Sequence, residues 1–275
     1  MNLIGEYNRT VPFHWAGCKK FLGDFLVRFL PKRMNRLLIP FFGRGDFLRL
    51  IRNQGIEVPA LASDIHRPVI STHIGIRENP GEVIRLLKFH QLCHSSDYFI
   101  RVRDGVDLGV SGPEAAGAFI YLMNGSYKAC YKQRKNGDHT NISARRSISC
   151  QGPAIYAHAI ALRNTSFFVE DFEPMLMRAT ADDFALIDPP YYLQMGYGGI
   201  AFGKGDHQRL ACACREIDRR GCRFLLTIND HPYIRDLYRG FDVEPVVVPR
   251  NIGPKRWAEE LTICNYAKEF GRMSA

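Results

Sequence analysis

The stretch Phe184-Ala185-Leu186-Ile187-Asp188-Pro189-Pro190-Tyr191 decides the reading of this chain. Its four leading apolar residues predict a buried strand. That strand delivers a carboxylate, two rigid rings and an aromatic to one point at its carboxyl end. Proline fixes φ and carries no amide hydrogen, so the neighbouring carbonyls can face a ligand instead of joining a ladder. An acceptor carboxylate, an outward carbonyl and a flat ring suit an exocyclic amino group on a planar base. The amine would donate to Asp188 and to the Pro189 carbonyl, and the base would stack on Tyr191. The plainer reading of the same residues is a strand followed by a Pro-Pro turn.

Working outward, periodicity predicts strands at Leu37–Phe41, Ala60–Ser63, Phe167–Val169, Phe224–Ile228, Val246–Val248 and Leu261–Asn265, besides Phe184–Ile187. Helical patterns lie between them, at Lys20–Leu30, Pro80–Leu92, Asp206–Arg220 and Ile234–Tyr238. Strands alternating with helices imply βαβ units and a mostly parallel sheet, hence an α/β fold. From about Gln91 to Asn164 strand signals are scarce, helix signals moderate and basic residues frequent. Residues 1–90 and 165–275 therefore form one α/β domain, and residues 91–164 an inserted, largely helical one.

The insert holds Tyr127, Lys128, Tyr131, Lys132, Arg134, Lys135, His139, Arg145 and Arg146, with Asp138 as the acid among them. Cations for phosphates interleaved with rings for bases are what a nucleic-acid surface needs. A solvated basic loop would show the same composition.

A second signal is Pro40-Phe41-Phe42-Gly43-Arg44-Gly45, where an apolar strand turns through two glycines into the helical Phe47-Leu48-Arg49-Leu50-Ile51. Glycines there let the backbone approach a ligand closely. Asp64 ends the next strand, nineteen residues after Gly45. In nucleotide-binding α/β folds an acid at that place binds ribose hydroxyls, although it can also merely cap the segment before Arg67-Pro68. The third glycine of the dinucleotide fingerprint is absent, so a nucleoside without a pyrophosphate fits better. A weaker signal is Trp15-Ala16-Gly17-Cys18-Lys19, a tight turn whose tryptophan and lysine can wall a pocket.

Composition bounds the partners. The chain has 275 residues, a net charge of +9 and a pI near 9.2, a balance that favours polyanions. It contains no run of about 18 apolar residues, so no membrane span is expected. The amino terminus lacks a secretory pattern, which makes a reducing cytoplasm the expected compartment. The eight cysteines include no Cys-x-x-Cys pair, and Leu210, Cys214 and Ile217 read as one core-facing stripe. No metal site is expected.

The order of these elements resembles the Dam-type DNA adenine N6-methyltransferases, the D12 class or alpha group. Their Trp-Ala-Gly-Gly-Lys box is similar to Trp15–Lys19, their Pro-Phe-x-Gly-x-Gly loop to Pro40–Gly45, and their Asp-Pro-Pro-Tyr to Asp188–Tyr191. Asp206-His207, Leu225–Asn229 and Glu259–Tyr266 resemble the family's closing motifs, so the likeness runs from about Pro12 to Tyr266. The resemblance implies a Rossmann-like methyltransferase fold, a mostly parallel seven-stranded sheet with helices on both faces, carrying a target-recognition insert. It implies S-adenosylmethionine as cofactor and duplex DNA as substrate, with an adenine flipped out and methylated on its exocyclic N6. Asp188, Pro189, Pro190 and Tyr191 would form the catalytic cradle. Trp15, Ala16, Gly17, Lys19, Pro40, Phe41, Gly43, Gly45, Asp64 and Asp188 would surround the cofactor. Tyr127, Lys128, Lys132, Arg134, Lys135, Arg145 and Arg146 would meet DNA.

The chain departs from the family pattern at Cys18, in place of a glycine, and at Arg44, where a small residue is usual. In the recognition insert it has Leu122-Met123-Asn124-Gly125-Ser126-Tyr127-Lys128, so no target sequence carries over. Two alternatives follow. One is an amino-methyltransferase acting on another nucleobase, cytosine N4 or adenine in RNA. The other is an inactive DNA-binding relative, in which Arg44 and Cys18 spoil the pocket.

Overall fold

A computed structural model describes residues 11–15, 28–126, 148–193, 201–249 and 257–266. Seven strands form one sheet: β1 (Leu37–Ile39), β2 (Ala60–Asp64), β3 (Thr165–Val169), β4 (Phe184–Ile187), β5 (Arg223–Asn229), β6 (Asp242–Pro249) and β7 (Trp257–Cys264). Their spatial order is β3-β2-β1-β4-β5-β7-β6. The first five are parallel, and β7 runs antiparallel to both β5 and β6.

The central strands β1, β2, β4 and β5 are largely buried on both faces, and their side chains divide by alternation. Leu37, Ile39, Phe184 and Leu186 join the core on one face; Leu38, Ala185 and Ile187 join the core on the other. The first face is covered by α1 (Asp46–Asn53), α2 (Arg67–Glu78), α3 (Pro80–Leu92), α4 (Ser96–Gly105), α5 (Pro113–Gly125) and α6 (Gly152–Ala161). The second carries α7 (Phe172–Leu176), α8 (Lys204–Arg219) and α9 (Pro232–Leu237). On α8 the stripe Leu210, Cys214, Ile217 is fully buried, as its spacing predicts. Each such apolar side chain contributes about 1.5–3 kcal/mol by leaving water.

Local chemistry sets several boundaries. Helix α3 begins at Pro80, whose missing N–H is harmless in a first turn, and Asn79 Oδ1 accepts from Glu82 N at 3.3 Å. Helix α2 lies within a region that the periodicity left without an element. Its buried positions include Ser71, Thr72, His73 and Gly75 beside Val69, Ile70 and Ile76, so no apolar stripe marks it. A Cβ on Gly75 would lie 2.7 Å from the Gly112 carbonyl oxygen, so α2 and the start of α5 meet almost backbone to backbone. The described part of 91–164 is helical. Phe99, Phe119, Ile148 and Ile155 share the core of β1, so α4, α5 and α6 have no core of their own.

The reversal of strand order places a crevice outside the carboxyl ends of β1 and β4. The chain winds from β1 to one side through β2 and β3, then returns to the other side through β4 and β5. Such switch points are where open α/β sheets bind ligands. The two loops leaving these strands are Pro40–Gly45 and Asp188–Tyr191.

Candidate active site

Both loops line one cleft. Its wall includes Trp15, Phe41, Phe42, Gly43, Arg44 and Asp64 on one side, and Asp188, Pro189, Pro190 and Tyr191 on the other. Of the residues singled out in the sequence, Pro40 is buried at the end of β1 and Gly45 caps α1; neither is on the cleft wall. Ala16, Gly17, Lys19, Tyr127, Lys128, Lys132, Arg134, Lys135, Arg145 and Arg146 lie outside the described residues, as does Cys18.

The glycine loop has demanding geometry. Gly43 sits at φ +49°, where a Cβ would come within 3.2 Å of Trp15 Nε1. Gly45 sits at φ +75°, where a Cβ would collide with the Phe42 ring at 2.7 Å. Both positions need glycine, for conformation and for space. Phe41 is also left-handed, at φ +60°, a conformation that costs of order 1–3 kcal/mol for a non-glycine residue. Packing holds it there: its ring stacks on Phe172 at 5.3 Å and meets Phe202 edge-on at 5.5 Å.

Asp64 works on its own protein first. Its Oδ2 accepts from Gly43 N at 2.8 Å and its Oδ1 from His66 N at 2.9 Å, so it ties the loop after β1 to the loop after β2. A carboxylate oxygen has two lone pairs, so each oxygen keeps one for a ligand hydroxyl. Arg44 does not occupy the cleft as a loose cation. It is buried and grips Asp46 through two bonds, Nε to Oδ1 at 2.8 Å and Nη2 to Oδ2 at 2.6 Å.

The Asp-Pro-Pro-Tyr cradle is braced by the strands beside it. Thr227 Oγ1 on β5 donates to Asp188 Oδ1 at 2.9 Å. The Tyr191 hydroxyl donates to Glu260 on β7. Tyr192 N donates to Asn229 Oδ1 at 2.8 Å, and Asn229 Nδ2 returns a bond to the Tyr192 carbonyl at 3.2 Å. The register explains this convergence. Ile187 pairs with Leu226, which sets Asp188 beside Thr227; Asn229 and Glu260 pair two residues further on, where they meet Tyr192 and Tyr191.

Sequence reasoning did not place Glu170, Asp171, Phe172 or Phe202 at the site, and named Asp206, Thr227 and Glu260 only within family motifs, with no role. The carboxyl end of β3 supplies Glu170, Asp171 and Phe172, and the start of α8 supplies Asp206. The available signal was an acid-acid-aromatic triplet directly behind an apolar strand, the same grammar as Asp188–Tyr191. Six carboxylates line the cleft, and four of them are in ion pairs: Asp46 with Arg44, Glu170 with Arg178, and Asp171 and Asp206 with Arg209. Among the described residues no cluster of histidine, cysteine and acids could hold a metal, and no helix is long and apolar enough to cross a membrane.

A mostly parallel seven-stranded sheet with a reversed last hairpin and a cleft at the switch point is a Rossmann-like α/β fold. The family model for D12 class N6 adenine-specific DNA methyltransferases matches residues 15–252. The chain therefore belongs to that family. It is 25% identical over 288 residues to the type II methyltransferase M1.LlaDCHI of Lactococcus lactis subsp. cremoris, covering 97% of this chain and 99% of that one. To the type II methyltransferase M.MjaIII of Methanocaldococcus jannaschii it is 25% identical, covering 92% of this chain and 97% of that one. To the DNA adenine methylase of Haemophilus influenzae it is 26% identical, covering 86% of each.

Proposed function

We propose that the cleft between Pro40–Gly45 and Asp188–Tyr191 binds S-adenosylmethionine beside a flipped-out adenine of duplex DNA and transfers a methyl group to N6. The observation that carries this reading is the shared cleft itself, in which Asp188 is held by Thr227 within reach of the glycine loop. The lining fits the cofactor: the carboxylates of Asp64 and Asp188 favour a ligand that carries positive charge, and Gly43 allows backbone approach. Phe41 and Phe172 offer apolar surface to its adenine, and Asp64 keeps lone pairs for its ribose. When bound, the cofactor supplies an electrophilic methyl group on sulfur.

The protein's part is positioning and charge. The target base must leave the duplex, at a cost of a few kcal/mol, and Tyr191 offers a replacement stack. Asp188 and the Pro189 carbonyl then accept the two N6 hydrogens, which favours a pyramidal nitrogen with its lone pair aimed at the methyl. The same acceptors stabilise positive charge as it develops on nitrogen. One N6 proton leaves to solvent after methyl transfer, once that nitrogen has become acidic, so no strong base is needed. Holding the two reactants in line supplies much of the remaining acceleration.

Lys128, Lys132, Arg134, Lys135, Arg145 and Arg146 are assigned to DNA phosphates and Tyr127 to the gap left by the flipped base. Such a protein works where the DNA is, in the cytoplasm of a cell without a nucleus. The test is nucleoside mass spectrometry on DNA incubated with the protein and S-adenosylmethionine. N6-methyladenine is expected with the wild type, and none with Asp188→Ala, whose affinity for DNA should be little changed. Near-normal turnover by Asp188→Ala would overturn the site assignment, and N4-methylcytosine as product would overturn the substrate.

A further inference from the structure

Gly43 is held through both of its backbone polar groups. Its N–H donates to Asp64 Oδ2 at 2.8 Å, and its carbonyl lies 2.7 Å from His73 Nε2. A carbonyl only accepts, so Nε2 of His73 carries a proton. His73 Nδ1 lies 3.0 Å from Nε2 of His158. Both rings are fully buried. Burial depresses His73 to about 4, against smaller opposing effects of the Gly43 carbonyl and Asp46. Burial also lowers His158, with His73, Arg49 and Arg44 adding to it. Both rings are therefore neutral at pH 7, and the hydrogen-bond order fixes their tautomers. His73 donates from Nε2 and accepts at Nδ1; His158 donates from Nε2, and its Nδ1 has no partner among the described residues.

The pair sits under both glycines of the loop. A Cβ on Gly45 would lie 3.3 Å from the Cε1 atom of His158. Phe42 packs edge-on against His73 at 4.7 Å, and Phe167 stacks on it at 6.0 Å. Neither histidine lines the cleft. A hydrophobic pair in this interior would pack as well without leaving a buried nitrogen unbonded. What a hydrophobic pair could not do is bond the Gly43 carbonyl.

We propose that His73, oriented by His158, is a positioning residue for the cofactor loop: it fixes the Gly43 carbonyl, as Asp64 fixes the N–H, so that the left-handed turn is already formed when cofactor arrives. This rests on the cofactor reading given above. A loop set in advance loses less freedom on binding, so the effect falls on affinity and not on the chemical step. A side chain that touches no ligand thereby tunes how tightly the ligand is held.

Titration calorimetry with S-adenosylmethionine and with S-adenosylhomocysteine tests it, together with steady-state methylation of DNA. His73→Leu leaves the Gly43 carbonyl without its donor. The expected result is about a tenfold rise in Kd and in KM for the cofactor, with kcat at saturating cofactor within about twofold of wild type. His73→Gln, which retains a donor, should recover most of the loss. His158→Met, which removes the proton that orients His73, should raise Kd about threefold. The last two variants keep the test open should His73→Leu fail to fold. The calorimetric stoichiometry counts folded sites, so a purely structural role would lower the stoichiometry and leave Kd alone. Wild-type Kd in folded His73→Leu, or an unchanged Kd in His158→Met with no rescue by His73→Gln, would overturn the assignment. A wild-type chain that bound neither ligand would instead sink the cofactor reading, and this one with it.

Discussion

Thr227 Oγ1 stands 2.9 Å from Asp188 Oδ1, one strand over and one residue beyond the last sheet pair. Thr227 is buried, and its bond helps to aim the Asp188 carboxylate. Thr227→Val keeps the shape and removes the bond. Hydrogen bonds to charged groups are worth roughly 1.5–3 kcal/mol. The variant should therefore lose about ten- to a hundredfold in kcat, with cofactor Kd nearly unchanged; single-turnover methylation and calorimetry read the two separately. Equal turnover would mean that Asp188 does not need this partner.

Asp64 links two loops through Gly43 N and His66 N. Asp64→Asn must turn an NH2 group toward one of these donors, so one bond becomes a repulsion. Cofactor affinity should fall at least tenfold and the melting temperature by a few degrees, consistent with a loss of about 1–3 kcal/mol. A drop in affinity without any change in melting would assign Asp64 to the ligand alone.

The basic segment makes a prediction about salt. Each phosphate contact contributes about 0.9 to the slope of log affinity against log salt on duplex DNA. Replacing Arg134, Lys135, Arg145 and Arg146 together by alanine should flatten that slope by about 3.6, measured by fluorescence anisotropy across salt concentrations. An unchanged slope would return the segment to a solvated loop that DNA never meets.

Acid should destabilise the fold in two stages. Burial lowers His207 to about 4, against a smaller opposing effect of Asp206, and lowers His73 to about 4 as well. The unfolded chain protonates these histidines near 6.5 while the folded chain does not, so stability falls as pH drops from about 6.5 to about 4. Asp183 acts lower on the scale. Burial pushes its carboxyl up, but Arg36 Nη2 at 2.6 Å and Thr180 outweigh this and hold it below the ordinary value. Its contribution is present above the unfolded value and is lost as pH falls through the folded one. His207→Phe should melt with a shallower decline between pH 6.5 and 4; superimposable curves for variant and wild type would contradict this.

How much was legible in the sequence depended on whether a feature was local. The seven strands lie close to where alternation and apolar runs put them, and Pro80–Leu92 is a helix with those very ends. The cradle was readable because its residues follow a strand directly, and the glycine loop because only glycine suits its turns. Helix α2 was not readable, because it is buried through serine, threonine, histidine and glycine and so shows no apolar stripe. The bracing residues were hidden for another reason. Thr227, Asn229 and Glu260 reach Asp188–Tyr192 only through strand register, which no single stretch of sequence encodes. Glu170, Asp171 and Phe172 join the cleft because β3 parallels β2, with Val169 opposite Asp64.

Leu37 on β1 pairs with Phe184 on β4, so the two walls of the cleft are fastened backbone to backbone although most of the chain's length separates them in sequence. The helices between β2 and β3 pack on this frame and, through His73, reach the Gly43 loop, but the β1–β4 pairing itself is made by the strands alone. If residues 127–147 read the target as proposed, exchanging them leaves every strand of the sheet and both cleft loops in place. Retargeting by graft, with β1, β4 and their loops left as they are, is the engineering route that this topology opens.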